Sequence, residues 1–275
     1  MRRILCLVAL VAVVGTGCGS DTEPLIGLRV SSDTAVGDSR LLFAVNEVDG
    51  TRRGSPSEVV TVTATPLEDP SRHETATAVF TWIVEGAVGL YRATIPFDRA
   101  GLWQIDFAIS TDEPTEPFLV DVQQSPVAVG IGEPAPLVAT STLADSPIDQ
   151  ITTDEHPEPA LYEHSLDELL RNGRKTVAVF ATPAFCVSAA CGPLLDQTKT
   201  VMSSLPDVDF VHIEVYLGFH EQGFVSDGDH LSPAVTAFGL LNEPWIYVMD
   251  EEGIVIARIE GVLGDGELES ILNAS

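Results

Sequence analysis

Two cysteines, Cys186 and Cys191, are the side chains best suited to chemistry in this chain of 275 residues. A thiolate attacks a disulfide sulfur and a neighbouring thiol resolves the mixed disulfide, so a close pair of sulfurs points to disulfide exchange. Their spacing constrains how they can meet. On one regular helix, residues five apart have Cα atoms about 8 to 9 Å apart, beyond the ~7 Å reach of a disulfide, so a bridge requires a loop or irregular turn. Gly192-Pro193 supplies one, because Pro193 suits the first position of a helix and leaves both cysteines ahead of it. No Lys, Arg or His lies between Thr176 and Lys199, and the run before the cysteines carries no Asp or Glu. The sequence therefore predicts only a helix dipole to favour a Cys186 thiolate. A second cluster, Asp154, Glu155, His156 and Glu158, reads as a solvated loop or a metal site.

The chain as a whole narrows the classes. Forty-one Asp and Glu stand against fourteen Lys and Arg, a formal net charge of -27, and the only lysines are Lys175 and Lys199. Phosphate backbones are repelled by such a surface, so nucleic acid is excluded as a partner. The acidity reads as a solvated surface or as attraction to a basic partner.

Arg2 and Arg3 precede an apolar run over residues 4–14, too short to span a bilayer as a helix, and Gly15-Thr16-Gly17-Cys18 follows. This predicts a signal peptide over 1–17. The small residues ending in Cys18 resemble the lipobox of bacterial lipoproteins, with Gly15 where that motif prefers Leu. The resemblance implies a lipidated Cys18 and an exported protein held at the outer face of the cell membrane or in the periplasm. The alternative is an ordinary secretory signal. Either processing removes Cys6, and lipidation of Cys18 leaves Cys186 and Cys191 as each other's partner in a compartment that permits disulfides.

Over residues 25–124, apolar and polar residues alternate in short runs. Strands are expected at 40–48, 59–64, 76–85, 90–95 and 102–109, with breaks at Asp49-Gly50, Gly54-Ser55-Pro56, Asp69-Pro70 and Arg99-Ala100-Gly101. These spacings suit an antiparallel β-sandwich. Gly89-Leu90-Tyr91 through Gly101-Leu102-Trp103 resembles the final strands of immunoglobulin-like modules in secreted bacterial proteins, which implies a spacer or partner-binding module. Residues 125–160 hold Pro126, Pro134, Pro136, Pro147, Pro157 and Pro159 and read as an extended, semi-stiff linker, free or packed in part along the next domain. From 161 to 275 the order is helix, strand, helix, strand, helix, strand, strand, helix. It opens on the capping box Ser165-Leu166-Asp167-Glu168 and includes a hairpin around Asp250-Glu251-Glu252-Gly253.

That order, with Cys186 just past the first buried run and Glu243-Pro244 just before the hairpin, resembles the thioredoxin superfamily. The stretch Phe180-Ala181-Thr182-Pro183-Ala184-Phe185-Cys186, with Cys191-Gly192-Pro193 behind it, is similar to exported bacterial thioredoxin-domain proteins. The resemblance implies an α/β thioredoxin-like fold, Cys186 at a helix N-terminus and Pro244 in a cis-proline loop packed against it. No cofactor is implied. The family's redox motif separates its cysteines by two residues, whereas four stand between these. Three functions are compatible. One is thiol-disulfide oxidoreduction on protein thiols or disulfides, and a second is a silent binding module with a structural disulfide. The third is copper handling of the cytochrome oxidase assembly type, with His212, His220 or His230 as third ligand. Thr182, four residues before Cys186, has no partner Arg nearby and is not read as a peroxidatic site.

Overall fold

The computed structural model describes residues 23–110 and 113–274. The expected signal segment and Cys18 lie outside the described residues.

Alternating burial along the first half builds nine strands: β1 (Leu25–Arg29), β2 (Gly37–Asn46), β3 (Arg52–Arg53), β4 (Val60–Pro66), β5 (Glu74–Val84), β6 (Val88–Phe97), β7 (Gly101–Ile109), β8 (Thr115–Glu116) and β9 (Phe118–Val122). They form one sheet in the order β8-β1-β2-β6-β5-β4-β7-β9, with β3 paired to β2. The sheet curls until it nearly closes into a barrel. Inside lie Leu41, Phe43, Tyr91, Ile95, Trp103 and Phe107. Their rings pack at offset or tilted angles, as between Phe43 and Tyr91.

The second half forms a four-stranded sheet in the order β11-β10-β12-β13. Its strands are β10 (Thr176–Ala181), β11 (Asp209–Glu214), β12 (Trp245–Met249) and β13 (Val255–Glu260). β10 and β11 run parallel, while β12 is antiparallel to both β10 and β13. The helices are α1 (Ile148–Ile151), α2 (Leu166–Leu169), α3 (Cys191–Met202), α4 (Pro233–Phe238) and α5 (Glu267–Ala274).

The expected fold class is overturned in both halves. The first half is one continuous sheet because β5 bridges what would have been two layers. Its residues 74–78 pair with β4 and its residues 79–84 pair with β6. The second half is not the α/β thioredoxin-like fold expected. Among the described residues 36% lie in strand and only 16% in helix, so the short helices do not by themselves cover both faces of the small sheet. Irregular chain takes part of that role. Within 125–160 the prolines remove N–H donors and leave only the short α1 as regular helix, yet Ala135, Val129 and Val138 pack on one face of the small sheet. Ile151, at the end of α1, packs on the other. Backbone bonds from Val129 to Phe238 and from Ala135 to Gly253 hold this segment down.

The two sheets meet along a polar seam. Asp33, fully buried, accepts from the backbone N–H groups of Val127 and Ala128 and from Arg258 at 2.8 Å. Arg258 also lies over the Trp245 ring. Arg40 donates to the carbonyls of Glu260 and Val262, and Arg40 and Arg92 share Glu267.

Candidate disulfide site

Cys186 and Cys191 are joined in a disulfide, with Cα atoms 6.0 Å apart. The route between them follows from local sequence. β10 is apolar and buried throughout, so it runs through the middle of the small sheet and must leave it at Thr182-Pro183. A turn closes from the Phe185 N–H to the Thr182 carbonyl, and the chain passes outward through Val187, Ser188 and Ala189. Ala189 takes φ +58°. A left-handed alanine costs about 1–2 kcal/mol, so the short loop is held by what it joins rather than by its own preference.

Helix α3 begins at Cys191, two residues earlier than the Gly192-Pro193 reading predicts. Cys186 is thus ahead of the helix and Cys191 is its first residue. The buried face of α3, with Leu194, Leu195, Thr198 and Val201, ties Cys191 into the core. The sulfurs are unequal as a result. Cys191 is fully buried, whereas Cys186 is half-buried beside the exposed loop. The Cys191 N–H points at Cys186 Sγ at 3.2 Å, and Ser188 Oγ lies 3.4 Å from the same sulfur. These polar hydrogens and the helix N-terminus favour negative charge on Cys186 once the bond opens.

The neighbouring strand brings an acid to this end of the sheet. Register pairs Ala181 with Glu214, whose carboxyl is 4% exposed. Glu214 Oε2 accepts from both the N–H and the hydroxyl of Thr153 at 2.8 Å, and Oε1 accepts from the Val215 N–H. The same Thr153 hydroxyl accepts from the Ala184 N–H at 3.2 Å. A chain of two hydrogen bonds therefore runs from the buried carboxyl to the residue two before Cys186. Burial pushes the Glu214 carboxyl above its usual range, partly opposed by its hydrogen bonds to Thr153 and Val215 and by the neighbouring Thr182 hydroxyl. Thr182 is itself fully buried, and its hydroxyl has no hydrogen-bond partner among the described residues.

His212 lies two residues back on the same face of β11. Its Nε2 is 3.1 Å from the Ala181 carbonyl, which only accepts, so Nε2 carries the proton and Nδ1 accepts from the Tyr162 hydroxyl at 2.8 Å. Desolvation drives its pKa down to about 4. His212 is therefore neutral, with both ring nitrogens occupied. His230 is tied to Asp227 at 2.9 Å, and the His220 ring lies against Phe219. Among the described residues no three His, Cys, Asp or Glu side chains gather as a metal site. Asp154 is engaged by Lys199, which also donates to the His156 carbonyl.

Pro244 is buried one register step beyond the Phe180–Trp245 pair, across from Ala181 at the end of the sheet from which the cysteine loop departs. The Glu243–Pro244 bond is cis. On the other side, Phe185 packs against Tyr216 and Phe224, so the loop around 216–230 borders the disulfide through aromatic contacts. The structure thus brings Cys186, Cys191 and Pro244 to one end of the small sheet.

Sequence reading missed Glu214 and Thr153, because both reach the cysteine loop from other segments. The one available signal was the alternation in Phe210-Val211-His212-Ile213-Glu214-Val215. It places two ionisable residues on one face of an otherwise apolar strand. No protein-family model and no curated protein matches this chain.

Proposed function

We propose that this protein is a thiol-disulfide oxidoreductase acting on protein thiols or disulfides outside the cytoplasm, held to a membrane by lipid on Cys18. The observation that carries the reading is the inequality of the two bonded sulfurs: Cys186 is reachable, and Cys191 is sealed at the start of α3.

In the disulfide form a substrate thiolate attacks Cys186 Sγ, and Cys191 Sγ departs with the bonding pair. A second substrate thiolate then attacks the substrate sulfur of the mixed disulfide and releases Cys186 as a thiolate. The substrate has lost two electrons and two protons and gained a disulfide; the protein has taken the electrons as a dithiol. The reverse sequence reduces a substrate disulfide. Bond exchange between sulfurs carries the electrons, so neither direction calls on a cofactor. The Cys191 N–H and the α3 N-terminus stabilise Cys186 when it leaves or attacks. Glu214 acts on the loop through Thr153 and Ala184, as a positioning residue.

Alkylation after equilibration in glutathione buffers of graded ratio tests this. The bridge is expected to titrate with the buffer while the protein stays folded. Cys191→Ser is expected to trap a mixed disulfide at Cys186, and Cys186→Ser to lower exchange by roughly 100-fold or more. A bridge that resists reduction until the protein unfolds would overturn the proposal and leave a structural clamp.

A further inference from the structure

Strand β5 changes partner at Ala78 and Val79. Up to Ala78 it pairs with β4; from Val79 to Val84 it pairs with β6 alone, so its other edge there has no ladder partner among the described residues. An exposed edge of this kind is a template for another strand unless prolines, lysines or a covering element block it. Residues 79–84 contain neither proline nor lysine, and Val79 is 54% exposed.

A groove of about 440 Å³ runs along this edge. Its wall includes five consecutive residues, Val79, Phe80, Thr81, Trp82 and Ile83, with Pro56 among those completing it. Successive side chains of a strand point to opposite faces, so five in a row lining one groove bring it to the backbone edge of β5, from which it extends onto the β6 side at Arg92. Phe80 is fixed in place. Its ring lies where a Cβ on Gly54 or Gly89 would stand, and it packs edge-on to Trp82 and Tyr91.

The groove leads toward the start of α3. Trp82 and Ile83 also line a narrow cleft with Ala190, Pro193 and Leu194, and Gln197 of α3 is common to both. Ala190 immediately precedes Cys191. The polar groups of the groove indicate what fits. Arg92 is held by its bond from Nη1 to Glu267. Glu85 and Asp265 stand on the groove as acids that favour basic side chains.

We propose that the outer edge of Val79–Val84 and its groove dock an extended polypeptide segment, which adds as a strand and carries a flanking cysteine or disulfide to Cys186. The segment has alternating apolar side chains and Lys or Arg at its ends, and the delivery step rests on the exchange reading of Cys186 and Cys191. Main-chain bonds to the edge supply affinity, and the apolar wall selects alternate side chains. The nine-stranded sheet is then the substrate-holding half of the molecule.

The probe is a nine-residue peptide of alternating valine and threonine with lysine at both ends and one flanking cysteine beside the terminal lysine, together with its serine counterpart. Binding of the serine peptide to the full chain, disulfide intact, is read by fluorescence anisotropy. Trp82→Ala and Val79→Lys, each checked for folding by circular dichroism, are expected to weaken it about tenfold or more. Of two peptides N-methylated on alternate residues, one is expected to lose binding and the other to keep it, because only one face of an added strand bonds to the edge. With the cysteine peptide, the ratio of peptide to glutathione exchange rates is expected to fall about tenfold in the same variants.

Equal binding by both variants and by both methylated peptides would overturn the proposal. Edge-dependent binding without any exchange in the unsubstituted protein would leave the docking site standing and remove the exchange reading instead.

Discussion

The two sheets handle buried polar groups in opposite ways. The interior of the nine-stranded sheet is aromatic and aliphatic, and the polar residues it buries, such as Ser31 and Asp33, sit toward its junction with the other half. The four-stranded sheet is less than half as wide. Yet with its packed helix it buries His212, Glu214, Thr182 and Thr198, the first three toward the end of β10 and β11 that leads to the disulfide. Burying an ionisable group is costly unless its hydrogen bonds are replaced, so such groups survive where they position something. In the small sheet they shape the loop that carries Cys186. At the seam, Asp33 and Arg258 fix one sheet against the other. The difference teaches that the large sheet supplies a rigid surface and the small sheet supplies a tuned environment.

The strongest way to break this contrast is to cut the seam. Arg258→Met keeps the stem over Trp245 but leaves the buried Asp33 carboxylate without its guanidinium, and is expected to cost roughly 3–5 kcal/mol. Urea denaturation followed separately at Trp103 and at Trp245 checks it. Separation into two transitions shows that the seam couples the halves, and an unchanged single midpoint refutes it.

The pH dependence of stability sharpens the same contrast. His212 titrates at about 4 when folded and ~6.5 when unfolded, so between those values the unfolded chain binds the extra proton. Stability is therefore expected to fall as pH drops through this window, by roughly 3 kcal/mol in all. Glu214 works in the other sense: its raised folded pKa makes its contribution largest at low pH and lost as pH rises through the folded value. Denaturation midpoints from pH 4 to pH 8 measure the sum. His212→Gln is expected to remove the acid-side loss, and an unchanged slope in that variant would refute the assignment.

The smallest expected effect lies in the cysteine loop. Ala189→Gly relieves the left-handed alanine and is expected to add about 1 kcal/mol, or roughly 2–4 °C in Tm. A lowered Tm would show that the loop gains more from the restriction of alanine in the unfolded chain than it loses in strain.

Particular residues show how far the sequence was legible. Alternation over 40–48, 59–64, 76–85, 90–95 and 102–109 marks strands that are present, because inward and outward side chains differ within each segment. The capping box at Ser165 and the buried face of α3 were equally readable. Partner choice was not. Nothing local to residues 74–84 states that the strand changes neighbour at Val79, so the expected sandwich became one curled sheet. Likewise, proline spacing marked 125–160 as an extended linker, free or packed in part along the next domain, but it did not show α1 or which residues lie on the small sheet.

By itself the sequence determined that two thiols stand close together just past a buried strand, ahead of a helix, in a strongly acidic chain without a basic stripe. Those properties depend on residue type and on spacing of a few positions, where backbone geometry is fixed. Tertiary structure alone decided the inequality of the sulfurs, the approach of Glu214 through Thr153, and the meeting of the β5 edge with Ala190 and Pro193. Each joins segments far apart in the chain, and only the packing of whole elements sets distances between them.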